Sequence, residues 1–144
     1  MEYLIVILLA YLIGSSSMSY YIAKLKGVNI RSKGSKNLGA SNAMILMGWK
    51  AGILVAVHDI FKAFLAVYIA SQIAADLPYI KAIAGVAAIY GHIFPFYLKF
   101  KGGKGFASFI GMTLALNYKF ALALMAIVII VTLVSDYFVV GTFT

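Results

Sequence analysis

From about Trp49 to Ile73 the chain is predominantly apolar for the length of a bilayer crossing. A run of that length can be buried in only two ways, inside a large core or across a membrane, and a helix needs about 20 residues to span the hydrocarbon layer. A length of 144 residues allows one compact bundle of such crossings. Similar stretches run from Tyr3 to Ala23, from about Tyr79 to Tyr97 and from Phe120 to about Val134, with a shorter one at Phe106–Leu116. Hydrophobic residues make up 64% and charged residues 11% of the chain, against about 45–50% and about 25% in soluble domains. The expectation is an all-α polytopic bundle of about five membrane helices, one of them short, forming a single integral membrane domain over 1–144. Without cysteine the chain has no disulfide framework and no thiol chemistry.

An N-terminal signal peptide is the alternative reading of the first stretch. Glu2 stands where a positive region is expected, and the apolar pattern resumes past Ser15-Ser-Ser17. The stretch is read as a helix that stays.

Twelve Lys and Arg against four Asp and Glu give a formal charge of +8. Its distribution decides what it means. Lys24, Lys26, Arg31, Lys33 and Lys36 fall in one connection, and Lys99, Lys101 and Lys104 in another one hairpin away. The positive-inside rule puts both on the cytoplasmic side, and Glu2, the N-terminus and the Asp76 turn outside. No base-reading module accompanies the cations, which argues against nucleic acid. Small anionic substrates or membrane lipid fit better. If Phe106–Leu116 crosses, Lys119 lies outside and Thr142 returns to the cytoplasmic face.

Both basic connections are rich in glycine: Arg31-Ser-Lys-Gly-Ser-Lys-Asn-Leu-Gly-Ala-Ser-Asn42 and Lys99-Phe-Lys-Gly-Gly-Lys-Gly105. Glycines let successive N–H groups converge on one anion, and a helix N-terminus adds to the attraction. A flexible polar loop reading anionic lipid would have the same composition. Lys104 is followed by Gly105 and Phe106 rather than Ser or Thr, so the P-loop pattern is not met. Asp59 and Lys62, three apart, share a helix face inside the second span, as a structural ion pair or as a substrate contact. His92, before Pro95 and the second patch, is either structural or catalytic. His58 projects about 100° away from Asp59 and is assigned no role.

Together, Lys24-Leu-Lys-Gly-Val-Asn-Ile-Arg31, Gly34-Ser-Lys-Asn-Leu-Gly-Ala-Ser-Asn42, Asp59-x-x-Lys62 and Gly91-His-x-x-Pro95…Phe100-Lys-Gly-Gly-Lys-Gly105 resemble the bacterial acyl-phosphate-dependent glycerol-3-phosphate acyltransferases of the PlsY type. The resemblance runs through essentially the whole chain. It implies a fatty acyl transfer from acyl phosphate to glycerol 3-phosphate, giving lysophosphatidate and phosphate in the bacterial inner membrane, with no metal and no cofactor. The His-x-x-x-x-Asp signature of acyl-CoA-type enzymes is absent: Ala63 follows His58 and Tyr97 follows His92 at that spacing.

By the same resemblance Ser35, His92 and Lys104 are the catalytic candidates. Arg31, Asn37, Gly39, Asn42, Gly102, Gly103, Gly105 and Thr142 would bind phosphate or substrate, and Asp59 and Lys62 would support the site. The proton acceptor is His92 or a substrate phosphate.

Several positions depart from the family. Lys36 replaces a usual glycine, and Ile45 stands where an arginine is common. Near the end, Asp136, Val139 and Thr142 replace a basic residue and serines. The resemblance also implies about two further helices and a third cytoplasmic motif beyond Thr144, so the expectation is a shortened or truncated member. Two other readings stay open. One is a non-catalytic paralogue that binds anionic lipid or phosphate. The other is a small transporter, which the lack of an evident inverted repeat disfavours.

Overall fold

A computed structural model describes residues 1–135, and the candidate Thr142, with Asp136 and Val139, lies outside the described residues. The described residues are helical throughout apart from their connections, as expected. In order they form α1 (Glu2–Ser15), α2 (Met18–Leu25), α3 (Ala40–Met47), α4 (Trp49–Ile73), α5 (Ile80–Ile93), a single 3₁₀ turn (Phe96–Leu98), α6 (Phe106–Leu116) and α7 (Tyr118–Ser135). The segments Glu2–Leu25, Trp49–Ile73 and Ile80–Leu98 are long and apolar enough to cross a membrane, and α6 and most of α7 are shorter apolar helices.

The first span differs from the single helix expected. It breaks at Ser16, whose backbone leaves the helical region (φ −56°, ψ 133°). Ser17 then caps α2 by accepting the Tyr20 N–H at 3.4 Å. Serine side chains compete for backbone partners, and three in a row suffice to end one helix and start another. The break frees the Ser15 and Ser16 carbonyls in the middle of the bundle, and both find partners in the site below.

α4 is the central helix: α1, α2, α3, α5 and α6 all pack on it. α1 and α5 approach through small residues. A Cβ on Gly14 would collide with the Ala88 carbonyl, and one on Gly91 with the Tyr11 carbonyl. Backbones in contact gain dispersion where lipid offers no hydrophobic drive. A Tyr3 hydroxyl to Pro78 carbonyl bond of 3.2 Å holds the N-terminus beside the 74–79 turn. At the opposite end, Leu98 joins Ile30, Leu38, Ala43 and Met47 in one buried cluster, so the two glycine-rich loops occupy the same end of the bundle.

The brevity of α6 has a geometric cause. Ser108 Oγ donates to the Asp59 carbonyl at 3.1 Å, and Gly111 abuts the Ile60 carbonyl. α6 therefore starts partway down α4, whose Asp59 lies ten residues from Trp49, or about 15 Å at 1.5 Å per residue. Its far end is not short of the other face, since Ala115 lines a cavity with Ser71, Gln72 and Lys81. The missing length is made up by loop 99–105, which dips into the bundle.

Candidate active site

The dipping loop rests on His92 through its backbone. Gly102 N–H donates to the Ile93 carbonyl at 2.8 Å and Gly103 N–H to the His92 carbonyl at 3.1 Å. No side chain fits at either position: a Cβ on Gly102 would strike the His92 carbonyl, and one on Gly103 would strike His92 Nε2. Lys99 and Phe100 hold left-handed φ values of 55° and 57° to make the turn, and Gly105 follows at 90°. Non-helical backbone at this depth is stable only against protein or in a wet cleft. Here its N–H groups are satisfied as far as Gly103. Lys104 is exposed, and the first-turn amides of α6 precede that helix's first bond, Phe109 N–H to Gly105 O. α6 has no side-chain cap.

Beneath the loop lies a buried polar cluster. Lys62, 3% exposed, donates to Asp59 Oδ1 at 2.9 Å, to the Ser16 carbonyl at 2.6 Å and to His92 Nδ1 at 2.9 Å. Three donors meet three acceptors, so this interior ammonium is fully satisfied. An ammonium can only donate; His92 Nδ1 therefore accepts, and the ring proton sits on Nε2, toward Gly103. Asp59 lies 3.6 Å from His92 Nδ1 and also receives His58 Nδ1 at 3.4 Å, while His58 Nε2 bonds Ser16 Oγ at 3.1 Å. The ring of His58 thus turns back to Asp59 although its Cα faces away, which helical spacing alone did not reveal. Nearby, Tyr97 OH donates to the Ser15 carbonyl at 2.9 Å and pairs with Tyr21 OH at 3.2 Å. The sequence signal for these partners was the serine triplet, read as an interruption rather than as a source of carbonyls.

The first loop is organised differently. Asn42, 1% exposed in the first turn of α3, gathers it around one amide. Its Oδ1 accepts the Ser35 N–H at 3.1 Å, and its Nδ2 donates to the carbonyls of Asn37 (3.0 Å), Ile30 (3.2 Å) and Lys33 (3.3 Å). Both ends of the amide are occupied, so Asn42 shapes the loop from inside, whereas the expectation from sequence was a ligand contact. Asn37 and Gly39 are partly exposed on the loop, and Ser35 is exposed, its hydroxyl forming no hydrogen bond among the described residues. Arg31 donates its backbone N–H to Asn29 Oδ1 at 3.2 Å. The Arg31 guanidinium and the Lys104 ammonium form no hydrogen bond or ion pair among the described residues. Gly39 begins α3 without a side-chain cap, so the amides of Ala40 and Ser41, ahead of the first bond from Ala43 N–H to Gly39 O, point out of the helix. Lys36 adopts φ 58°, so the loop holds a left-handed backbone of the kind glycine favours under a lysine side chain.

The structure thus brings Asp59, Lys62, His92, Gly102 and Gly103 into direct contact, and Ser35, Asn37 and Asn42 into another group at the same end of the bundle. Among the described residues no group of His, Cys, Asp and Glu has the makings of a metal site.

Comparison with known proteins shows the family to which the chain belongs. The family model described as glycerol-3-phosphate acyltransferase matches residues 4–144. Glycerol-3-phosphate acyltransferase 1 of Oceanobacillus iheyensis is 40% identical over 98% of this chain and 72% of its own. The glycerol-3-phosphate acyltransferase of Pseudomonas entomophila is 45% identical over 80% of this chain and 61% of its own. Among solved structures, the glycerol 3-phosphate form of PlsY (YgiH), an integral membrane glycerol 3-phosphate acyltransferase, superposes with a TM-score of 0.92 at 34% identity, covering 99% of this chain and 71% of that one. Its lysophosphatidic acid form superposes at 0.89. The chain is an integral membrane protein of the glycerol-3-phosphate acyltransferase family.

Proposed function

We propose that this chain transfers a fatty acyl group from an acyl phosphate to glycerol 3-phosphate, as its relatives' names and the glycerol 3-phosphate and lysophosphatidic acid forms of PlsY suggest. The observation that carries the reading is the pair of glycine-begun helix starts without side-chain caps, α3 and α6, at one end of the bundle, with Arg31 and Lys104, unpaired among the described residues, in the loops that lead to them. Each is a site for one anion, and this reaction brings two phosphate-bearing substrates together.

The chemistry needs positioning rather than a covalent intermediate. A glycerol hydroxyl oxygen attacks the acyl carbonyl carbon, the bond from that carbon to the phosphate oxygen breaks, and the hydroxyl proton leaves with the phosphate. Lys104 and the α6 amides hold the departing phosphate, while Arg31, Ser35 and the α3 amides hold glycerol 3-phosphate. His92, with Nδ1 filled by Lys62, offers a donor and no free lone pair, which favours a substrate phosphate as the proton acceptor. Asp59 and Lys62 hold that imidazole in place, and Gly102, Gly103 and Gly105 let the loop close over it.

In this reading 1–144 is one membrane domain of a bacterial inner membrane. The loop end, which carries Arg31, Lys33, Lys36, Lys99, Lys101 and Lys104, faces the cytoplasm, and the end holding the N-terminus and Asp76 faces outward. Membranes containing the protein should release phosphate from palmitoyl phosphate only when glycerol 3-phosphate is present. Ser35→Ala and Lys104→Ala should each lower that release by about 100-fold or more. Release that survives both changes would place the chemistry elsewhere.

A further inference from the structure

Outside the site, a cavity of about 380 Å³ opens between α2 and the α3–α4 junction, lined by Ile22, Lys26, Met47, Trp49, Lys50 and Leu54, among others. Its polar and apolar parts are segregated. Lys26 is anchored by donating to the Met47 carbonyl, the last residue of α3, at 3.0 Å, and remains exposed. Lys50 lies over the Trp49 ring at 5.7 Å, so both side chains are held at the first turn of α4. Below them the wall continues as Ile22, Ala51 and Leu54, along two helices that cross the membrane. Trp49, the first residue of α4, is 63% exposed, in the position where tryptophan marks the headgroup level. Among the described residues no acidic side chain lines the cavity.

We propose that this groove holds an anionic phospholipid from the surrounding bilayer, with its phosphodiester between Lys26 and Lys50 and an acyl chain along Ile22, Ala51 and Leu54. Two fixed cations above an apolar wall match the charge order of such a lipid and leave a zwitterionic headgroup no anionic partner for its amine. The groove lies apart from the reacting groups, because its residues share none with the Lys104 loop or with the Asp59–Lys62–His92 cluster. It does frame the first loop: the Lys26–Met47 bond joins the end of α2 to the end of α3, and residues 27–39 arch between those helices.

Trp49 is the sole tryptophan of the chain and serves as the reporter. The protein is reconstituted in phosphatidylcholine vesicles containing brominated phosphatidylglycerol or, separately, brominated phosphatidylcholine, and quenching of Trp49 gives their relative affinities at the groove. Phosphatidylglycerol should be preferred, and Lys26→Gln and Lys50→Gln should each reduce that preference by about fivefold. Lys26→Gln keeps a donor for the Met47 carbonyl, so the fold is retained, and far-UV dichroism verifies it. Lys24→Gln, a neighbouring charge that does not line the cavity, should leave the preference intact. Equal quenching by the two lipids would overturn the proposal, as would an equal loss with Lys24→Gln, which would mean a diffuse basic surface. Relief of phosphatidylglycerol quenching by palmitoyl phosphate would overturn it too, by identifying the groove as the path of the acyl donor.

Discussion

The two glycine-rich loops have similar compositions and are built by opposite means. Loop 27–39 is drawn together by one buried side chain, Asn42, whose amide reaches four backbone groups. Loop 99–105 is drawn together by the absence of side chains, which lets Gly102 and Gly103 donate to the carbonyls beneath them. The first depends on a particular group being present, the second on space being empty. Depth explains the difference. The first loop sits at the end of the bundle, where a side chain has room to turn inward. The second descends to the level of Asp59 between packed helices, where only backbone fits.

The largest effect expected from this contrast belongs to the second loop. In Gly103→Ala the new methyl group competes with His92 Nε2 for one position, so loop or imidazole must move by an ångström or more. Activity should fall by about 100-fold or more with the helical content unchanged, as measured by phosphate release and far-UV dichroism. Retention of activity would mean that the loop does not rest on His92 during turnover.

Next comes Lys62→Met, which leaves the Asp59 carboxylate without its cation in the interior. It should destabilise the protein by about 3–5 kcal/mol, read as a lowered thermal midpoint in detergent. Asp59→Asn together with Lys62→Met removes both charges and should recover much of that loss. No recovery in the double variant would show that the two residues do not act as a pair.

Asn42→Ala should be milder. It strands a Ser35 N–H and several carbonyls at a partly wet surface, costing about 1–3 kcal/mol. Its kinetic signature should be a raised KM for glycerol 3-phosphate with a smaller change in kcat, because the loop is loosened rather than blocked. An equal fall in activity for Asn42→Ala and Gly103→Ala would erase the distinction between the loops. The smallest effect is expected at Lys36, where a non-glycine residue holds φ 58°. Lys36→Gly relieves about 1–2 kcal/mol of left-handed strain and gives back part of it as chain entropy, for a net gain of no more than about 1 kcal/mol. A lowered thermal midpoint would show that the lysine side chain contributes more than its backbone costs.

Much of the architecture was legible because hydrophobic length and charge are summed over many residues. The bounds of α4 and α6 follow from where apolar runs stop, and the shared end of the two loops follows from hairpin arithmetic. The break at Ser16 was visible as three serines, but its consequence was not. Which carbonyls a break exposes matters only once another helix brings Lys62 and Tyr97 to them. The role of His58 was hidden for a related reason. Helical spacing fixes the direction of a Cβ, whereas the imidazole ring, two rotatable bonds on, reaches Asp59 and Ser16 together. Asn42 was picked out for its type and place, yet the direction of its amide, into the loop rather than toward a ligand, depends on how residues 30–37 fold over it. The sequence marked α6 as a short membrane helix and left its crossing open, and its length makes sense only with a loop that itself descends into the bundle.

The claim that two phosphate-holding loops of this chain serve one acyl transfer is tested most directly by ³¹P NMR of the reconstituted protein with palmitoyl phosphate and glycerol 3-phosphate. The account predicts that the acyl phosphate signal gives way to inorganic phosphate while the glycerol 3-phosphate signal gives way to lysophosphatidate, the two products forming in equal amounts and only when glycerol 3-phosphate is present. Phosphate appearing without the acceptor, or an acyl phosphate signal that persists unchanged beside it, would contradict the account.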